Sequence, residues 1–143
     1  MVSYFFQDTK FKFNKRRVTN SWIRKVVAIE NRVLGNLNII ICSDPYILDV
    51  NQKFLKHNYY TDIITFDYCE EDMISGDLFI SIDTVRDNGE FYEAGFDREL
   101  FRVIIHGVLH LIGYDDHCEE DISVMRSKEN QYLTLLEDLF LQK

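Results

Sequence analysis

Three of the four histidines in this 143-residue chain lie within one short stretch, from His106 to His117. His106 and His110 are separated by four positions, which places both imidazoles on one face of a helix, one turn above the other. Gly113 is expected to end that helix, because glycine enters the left-handed conformation without a steric cost. The spacing is typical of two metal ligands on one helix.

The residues that follow Gly113 offer a third metal ligand. Either Asp116 or His117 can join His106 and His110 in a three-ligand site that leaves one position open. This layout is typical of catalytic zinc sites, since structural zinc sites close all four positions. We expect whichever of Asp116 and His117 is not a ligand to support the ligands by hydrogen bonding or to carry protons.

The helix that carries the histidine pair is predicted to span residues 97–112 and to be buried, because apolar residues surround most of its circumference. One polar stripe interrupts the apolar surface, formed by Glu99, Arg102, His106 and His110. Buried polar groups need partners, and a metal ion would satisfy two neutral imidazoles. The setting therefore favours a metal site over two isolated core histidines.

Composition indicates a folded protein that is acidic overall, with a formal net charge of −8. Basic residues are concentrated between Lys10 and Lys25, and this corner either contacts a phosphate backbone or is a solvated helix start. The three cysteines form no paired framework. Without a signal peptide or an apolar stretch of membrane length, a cytoplasmic location and no membrane association are expected.

Hydrophobic periodicity predicts one domain over residues 1–143, an α/β sandwich with a small mixed, mostly parallel sheet flanked by helices. Strands are predicted at 2–7, 37–42, 62–68 and 76–82. Helices are predicted at about 19–33, 44–56, 97–112 and 119–141, with one more that starts at 83. The first helix is expected to bury Val33 and to be closed by Gly35 and Asn36. Asp97 is the predicted cap of the histidine helix, and Ile122 is expected on the buried face of the last helix. The two middle strands are joined by a short connection and are expected to pair antiparallel, whereas the others require helical crossovers.

The histidine stretch resembles the signature of the YbeY family, H-G-x-L-H-L-x-G-Y-D-H, and matches it without a gap from His106 to Asp115. The family's third histidine falls on Asp116, and a histidine follows at His117. Gap-free register favours Asp116 as third ligand, whereas ligand type favours His117. Residues 61–66 (TDIITF) resemble the family stretch T-[ND]-V-L-S-F, and residues 76–81 (GDLFIS) resemble G-D-[IL]-x-[IL]-S.

The resemblance implies a single-strand-specific endoribonuclease, a hydrolase that uses one zinc ion in ribosomal RNA processing. In this family such processing includes maturation of the 3′ end of the small-subunit RNA and ribosome quality control. The implied partners are single-stranded and ribosomal RNA, ribosomal proteins and assembly GTPases. Asp116, His117 and Lys56 are the predicted catalytic residues. A family arginine is replaced by Leu55, and Lys56 either supplies that charge or is an ordinary helix-end lysine.

Two alternatives belong to other functional classes. A zincin-like metallopeptidase uses H-E-x-x-H, in which a glutamate beside the first histidine is the general base. Gly107 occupies that position here, and glycine cannot move a proton. The other alternative is a non-catalytic zinc-containing ribosome-assembly factor, in which further donors after Gly113 close the site and the metal only joins the loop to the helix.

Overall fold

A mixed four-stranded sheet organises the computed structural model, which describes residues 1–55 and 61–141. The strands are β1 (Val2–Gln7), β2 (Val33–Cys42), β3 (Ile63–Asp67) and β4 (Met73–Ser81). The helices are α1 (Arg16–Ile29), α2 (Asp44–Leu55), α3 (Ile82–Phe91), α4 (Phe96–Ile112) and α5 (Glu119–Leu141). The predicted α/β sandwich with a small, mostly parallel sheet is confirmed.

The strands are arranged in the order β1-β2-β4-β3. β2 pairs in parallel with both β1 and β4, with Ile39 opposite Tyr4 on one side and Leu78 on the other. β3 pairs antiparallel with β4. The connection between β3 and β4 is too short for a helical crossover, so the antiparallel pair was predictable, whereas α1 provides the crossover from β1 to β2.

The main core lies on the sheet face that is covered by α1, α4 and α5. Successive residues of a strand point to opposite faces, so Leu78 and Ile80 enter this core while Phe79 faces the other side. There α2 covers a smaller cluster that includes Ile47 and Ile64. On the main-core face, α4 contacts β3 and β4 on one side and α5 on the other, so most of its residues are buried.

Short polar side chains begin two of the helices. The Ser43 hydroxyl accepts a hydrogen bond from the Tyr46 amide at the start of α2, and Ser81 accepts one from the Thr84 amide at the start of α3. Each satisfies an amide that has no partner within the helix. None of the described helices has the length and apolar character that crossing a bilayer requires.

The predicted end of α1 was wrong. The helix stops at Ile29, and Asn31 adopts a left-handed φ of 61° that turns the chain into β2. Val33, predicted on the buried face of the helix, instead pairs with Met73 in the sheet and is exposed, as is Ile29. The residues of the predicted helix stop, Gly35 and Asn36, lie at a register shift inside β2.

The bounds predicted for α5 are confirmed, but one of the residues assigned to its buried face is not buried. Ile122 is 51% exposed, whereas the core-facing positions are Met125, Glu129, Tyr132, Leu133 and Leu136. A glutamate therefore takes part in the apolar face of this helix. α4 begins at Phe96 after Gly95, so the predicted cap at Asp97 was also wrong.

Candidate metal centre and the adjoining cavity

The close packing of α4 on the sheet depends on Gly107, between the two histidines. A β-carbon there would lie 2.7 Å from Cδ1 of Ile63 and 2.9 Å from Cδ2 of Leu78, both closer than ordinary van der Waals contact. Glycine thus lets the helix approach β3 and β4 without displacing these side chains. A glutamate, as in zincins, would have to enter this apolar contact.

The two imidazoles meet one turn apart on α4. Nε2 of His106 lies 2.9 Å from Nε2 of His110, and the rings are nearly perpendicular, at 83°. Oδ2 of Asp116 lies 3.4 Å from the first of these nitrogens and 3.5 Å from the second. These atoms form the one group of three potential metal-binding side chains found within residues 1–55 and 61–141.

The distances fit a small tetrahedral metal ion. Bonds of about 2.0–2.1 Å from zinc to nitrogen and oxygen place two ligand atoms about 3.3 Å apart in a tetrahedral site. The three separations in the group of His106, His110 and Asp116, 2.9–3.5 Å, bracket that value. Two imidazoles and one carboxylate are also a donor set that zinc accepts, with a fourth position left for water or substrate.

Gly113 brings Asp116 to the histidines. It adopts φ 125°, and its amide bonds back to the carbonyls of Leu109 and His110, which ends α4 and reverses the chain. His117 is placed differently, because its side chain is 83% exposed and lies 4.0 Å from Asp115. The structure therefore groups Asp116, and not His117, with the histidine pair.

Tyr114 holds this returning loop against the rest of the molecule. Its hydroxyl donates a 2.6 Å hydrogen bond to Glu30, at the end of α1, and the same carboxylate accepts hydrogen bonds from Lys128 and Tyr132 of α5. Burial disfavours a charge on Glu30, but the hydrogen bonds from Tyr114, Tyr132 and Lys128 outweigh it and lower the pKa of the carboxyl. The loop that carries Asp116 is therefore tied to two helices.

Glu129 orients the first histidine. Its side chain is 5% exposed, and one carboxylate oxygen lies 2.7 Å from Nδ1 of His106 while the other accepts a 2.8 Å bond from Arg102. Burial opposes the charges, but this hydrogen bond outweighs it, lowering the pKa of Glu129 and raising the pKa of His106. With its proton on Nδ1, His106 presents the lone pair of Nε2 to His110 and Asp116.

A cavity of about 340 Å³ opens beside the three grouped side chains and shares His106 and Asp116 with them. Its other polar walls are supplied by Asp62, Asn88, Tyr92, Glu99, Arg102, Arg126 and Glu129. Burial raises the pKa of the Asp62 and Glu99 carboxyls. The cavity thus joins a potential metal site to a wall that carries both carboxylates and guanidinium groups.

Several of these residues were missed by sequence analysis. The burial of Glu129 could have been predicted from the sequence. This glutamate lies four residues after Met125 and three before Tyr132, so it shares the apolar face of α5. Asp62 lies in the TDIITF segment, but nothing in the pattern shows that it faces His106. Arg126 carries no signal of its own, since an exposed arginine on a long helix is ordinary.

Other predicted residues are placed away from the group or are not described. Lys56 and His57 lie outside the described residues, so the role predicted for Lys56 stays a prediction. Leu55 is the last residue of α2 and is 40% exposed. In the basic corner, Lys15 pairs with Asp97 and the Arg16 guanidinium lies over the rings of Tyr4 and Phe6.

Comparisons with known proteins agree over nearly the whole chain. A family model described as "Endoribonuclease YbeY" matches residues 4–137. Proteins with the same description from Phocaeicola vulgatus and Bacteroides thetaiotaomicron are 51% identical over 136 residues and 48% identical over 134. These alignments cover 95% and 94% of this chain, and 99% and 98% of the relatives.

The fold also matches a solved structure. The solution structure of a Thermotoga maritima protein superposes with a TM-score of 0.69 over 97% of this chain and 92% of the other. Its sequence identity is 24%, so this likeness establishes the fold alone.

Proposed function

Because this chain belongs to the YbeY endoribonuclease family, we propose that it is a zinc-dependent endoribonuclease that cleaves single-stranded RNA during ribosomal RNA processing. The cleavage is proposed to act in maturation of the 3′ end of the small-subunit RNA and in ribosome quality control. The comparisons favour neither a zincin-like metallopeptidase nor a non-catalytic zinc module. Ribosomal proteins and assembly GTPases as partners, and a cytoplasmic location, stay predictions.

The observation that carries the proposal is the convergence of three ligand atoms beside a cavity. His106, His110 and Asp116 would hold the ion, and their separations of 2.9–3.5 Å match what a tetrahedral zinc requires. When bound, zinc supplies Lewis acidity toward a phosphoryl oxygen and toward water, which is what phosphodiester hydrolysis requires. The identity of the metal as one zinc ion is part of the proposal.

The protein's own side chains prepare the site for this chemistry. Glu129 accepts a hydrogen bond from Nδ1 of His106, which orients the ring and leaves Nε2 for the ligand group. Asp116 is fixed by the loop that Tyr114 anchors to Glu30. Both supports are in place before any substrate arrives, which lowers the reorganisation needed for catalysis.

Positive charge for the phosphodiester is supplied at the cavity by Arg126. Its side chain is 59% exposed, and it reaches within 3.5 Å of the buried Glu129. Arg102, by contrast, is largely buried, and its guanidinium donates hydrogen bonds to Glu129 and Asn130, so it is less available to bind RNA. Arg126 can therefore contact the RNA backbone. This matters because the family arginine is absent from this chain, in which Leu55 occupies its position.

His117 is proposed to carry protons and not to bind the metal. Its imidazole is exposed and adjoins Asp116 in the chain, so it can exchange protons with solvent close to the reacting group. Asp116 takes the ligand role that gap-free register with the family signature also favours. Lys56 remains the second predicted source of positive charge.

The experiment is an RNA cleavage assay on the purified protein with one labelled single-stranded RNA, the same RNA annealed to its complement, and a peptide mixture. We expect cleavage of the single strand only, loss of cleavage after chelation, and recovery when zinc is returned. His110→Ala should abolish cleavage, whereas His57→Ala, which removes the one histidine outside the 106–117 stretch, should not. Peptide cleavage, or RNA cleavage that survives His110→Ala, would contradict the proposal.

A further inference from the structure

Glu99 is a buried residue on the wall of the cavity beside the proposed metal centre. The residue is 6% exposed, on the polar stripe of α4 that continues through Arg102 to His106. Its carboxylate makes no side-chain hydrogen bond or ion pair with any residue in the described part of the chain, although the charge of Arg102 attracts it. Since no fully buried side-chain oxygen of the described residues lacks a partner, the carboxylate of Glu99 faces the open cavity, where water or a ligand can donate to it.

Glu99 has no place in the metal centre itself. The grouped ligand atoms belong to His106, His110 and Asp116, while Glu129 accepts hydrogen bonds from Nδ1 of the first histidine and from the guanidinium of Arg102. Glu99 lies nearly two helical turns before His106 on the same face of α4. It is therefore a potential acceptor on the cavity wall that the site described above does not use.

The other wall of the cavity is suited to a flat, partly polar ligand. Tyr92, just after the end of α3, is 65% exposed, and its ring packs edge-on against Phe91 at 5.0 Å between centroids. Asn88, one turn earlier on α3, adds an amide that can both donate and accept. An exposed aromatic ring with polar groups beside it is how proteins stack and read single-stranded bases.

The charge of the cavity favours a nucleobase over a phosphate. The charge of Glu129 is balanced by Arg102 and Arg126, but Asp62 and Glu99 add two further carboxylates to the wall, and these disfavour an anion beside them. The exposed guanidinium of Arg126 is available to the backbone instead. The volume of about 340 Å³ lies at the lower end of the range for small-molecule pockets and suits one nucleoside.

We propose that this cavity is a base-recognition subsite, in which Tyr92 stacks on the base beside the scissile phosphate and Glu99 accepts hydrogen bonds from its Watson–Crick edge. The inference rests on the proposed function, since the base belongs to the RNA substrate. Guanine is the base that fits best, because N1–H and the N2 amino group are adjacent parallel donors that one carboxylate can accept together. Uracil presents a single N3–H donor between two carbonyl oxygens, so it offers Glu99 one hydrogen bond where guanine offers two.

Cleavage of four single-stranded RNAs tests the subsite. Each is a labelled uridine 12-mer with one internal nucleotide changed to G, A or C, or left as U, and the cut positions are mapped on the zinc-loaded protein. We expect cuts to cluster next to the G and to occur about tenfold faster than in the all-U strand, the discrimination of one bidentate pair. Equal rates for the four strands, within about twofold, would overturn the inference.

Variants identify which residue reads the base. Glu99→Gln should reduce the ratio of the cleavage rates of the G-containing and all-U strands to within about twofold, because an amide offers one acceptor and no charge. Tyr92→Ala should weaken binding of all four strands by about tenfold, since stacking does not depend on sequence. The matched controls are Glu90→Gln, an exposed glutamate on α3, and Tyr68→Ala, an exposed tyrosine that follows β3 at the end opposite Asp62. A G preference that survives Glu99→Gln would overturn the assignment.

A binding measurement separates failure of the subsite from failure of the proposed function. If no strand is cleaved, the nuclease proposal fails, yet the subsite is still tested by titrating guanosine and uridine 5′-monophosphates while following the amide NMR signals of Asn88 and Tyr92. We expect guanosine monophosphate to bind about tenfold more tightly than uridine monophosphate in the wild-type protein and equally in Glu99→Gln. Equal binding of both nucleotides to the wild type would overturn the subsite.

Discussion

The carboxylate of Glu129 on α5 lies 2.7 Å from Nδ1 of His106 on α4, deep in the interface between these helices. The contact joins an acidic residue on the core face of one helix to a proposed metal ligand on the other. Because Arg102 and Arg126 also approach Glu129, its charge is balanced from two sides. The packing of α5 therefore determines which nitrogen of His106 would face the proposed metal ion.

Replacing Glu129 tests this relationship. Glu129→Gln keeps the size of the side chain but removes the charge that holds the Nδ1 proton, so we expect zinc affinity to fall by about 10–100-fold. Competition with a chromophoric chelator measures the affinity directly. Glu137→Gln, an exposed glutamate on the same helix that pairs with Arg98, is the matched control and should leave the affinity unchanged.

The choice between the two candidate third ligands is tested by a pair of neighbouring substitutions. Asp116→Ala removes the oxygen that lies 3.4–3.5 Å from both histidine nitrogens, so we expect the bound zinc to be lost after dialysis. His117→Ala removes an exposed ring and should keep one zinc per chain while cleavage slows by about 10²–10⁴-fold through loss of a proton carrier. Elemental analysis of the dialysed proteins decides, and zinc loss only in His117→Ala would reverse the assignment.

The anchor of the returning loop gives a prediction about acid stability. Folding lowers the pKa of Glu30 from its ordinary value of 4.5, so the charged carboxylate stabilises the folded state above that pH, and this stabilisation is lost as the pH falls through the lowered value. Glu30→Gln should lower the free energy of unfolding by about 1–3 kcal/mol at pH 7 and by less near pH 3. Urea unfolding of the metal-free proteins measures both differences, and equal losses at the two pH values would contradict the role of the charge.

Gly107 gives a prediction about packing. Gly107→Ala places a β-carbon 2.7 Å from Cδ1 of Ile63, so we expect a loss of about 1–3 kcal/mol in the free energy of unfolding despite the better helix propensity of alanine. Ile63→Val removes that Cδ1 atom. Added to Gly107→Ala, it should therefore recover part of the loss, and strictly additive losses in the double variant would show that the two groups do not meet.

Local sequence patterns predicted the helices and strands whose bounds depend only on residues close together in the chain. The strand 2–7 and the helix bounds 119–141 were predicted correctly, because the apolar pattern of each segment is contained in its own residues. The end of α1 was missed because Val33 pairs with Met73, forty residues away in the chain, and that long-range pairing leaves no mark on the local pattern. Asn31 adopts the left-handed conformation just after the end of α1, and asparagine indicates a helix end less strongly than glycine does.

In the candidate site, too, the features within one helix were predicted and the contacts between helices were not. The spacing of His106 and His110 and the glycine stop after them could be read directly, because one helix determines their relation. Glu129 and the cavity wall come from other elements, so their approach to His106 depends on how α4 and α5 pack. Asp116 could not be separated from His117 by the residues alone, since one step along a loop reverses which side chain faces the helix.

A crystal structure of the zinc-loaded protein, with anomalous data collected at the zinc absorption edge, tests the proposed metal site most directly. We expect one anomalous peak within about 2.0–2.2 Å of Nε2 of His106, Nε2 of His110 and a carboxylate oxygen of Asp116. His117 should remain in solvent and Glu129 should keep its bond to Nδ1 of His106. A peak bound by His117 in place of Asp116, or no peak between the two imidazoles, would contradict the site.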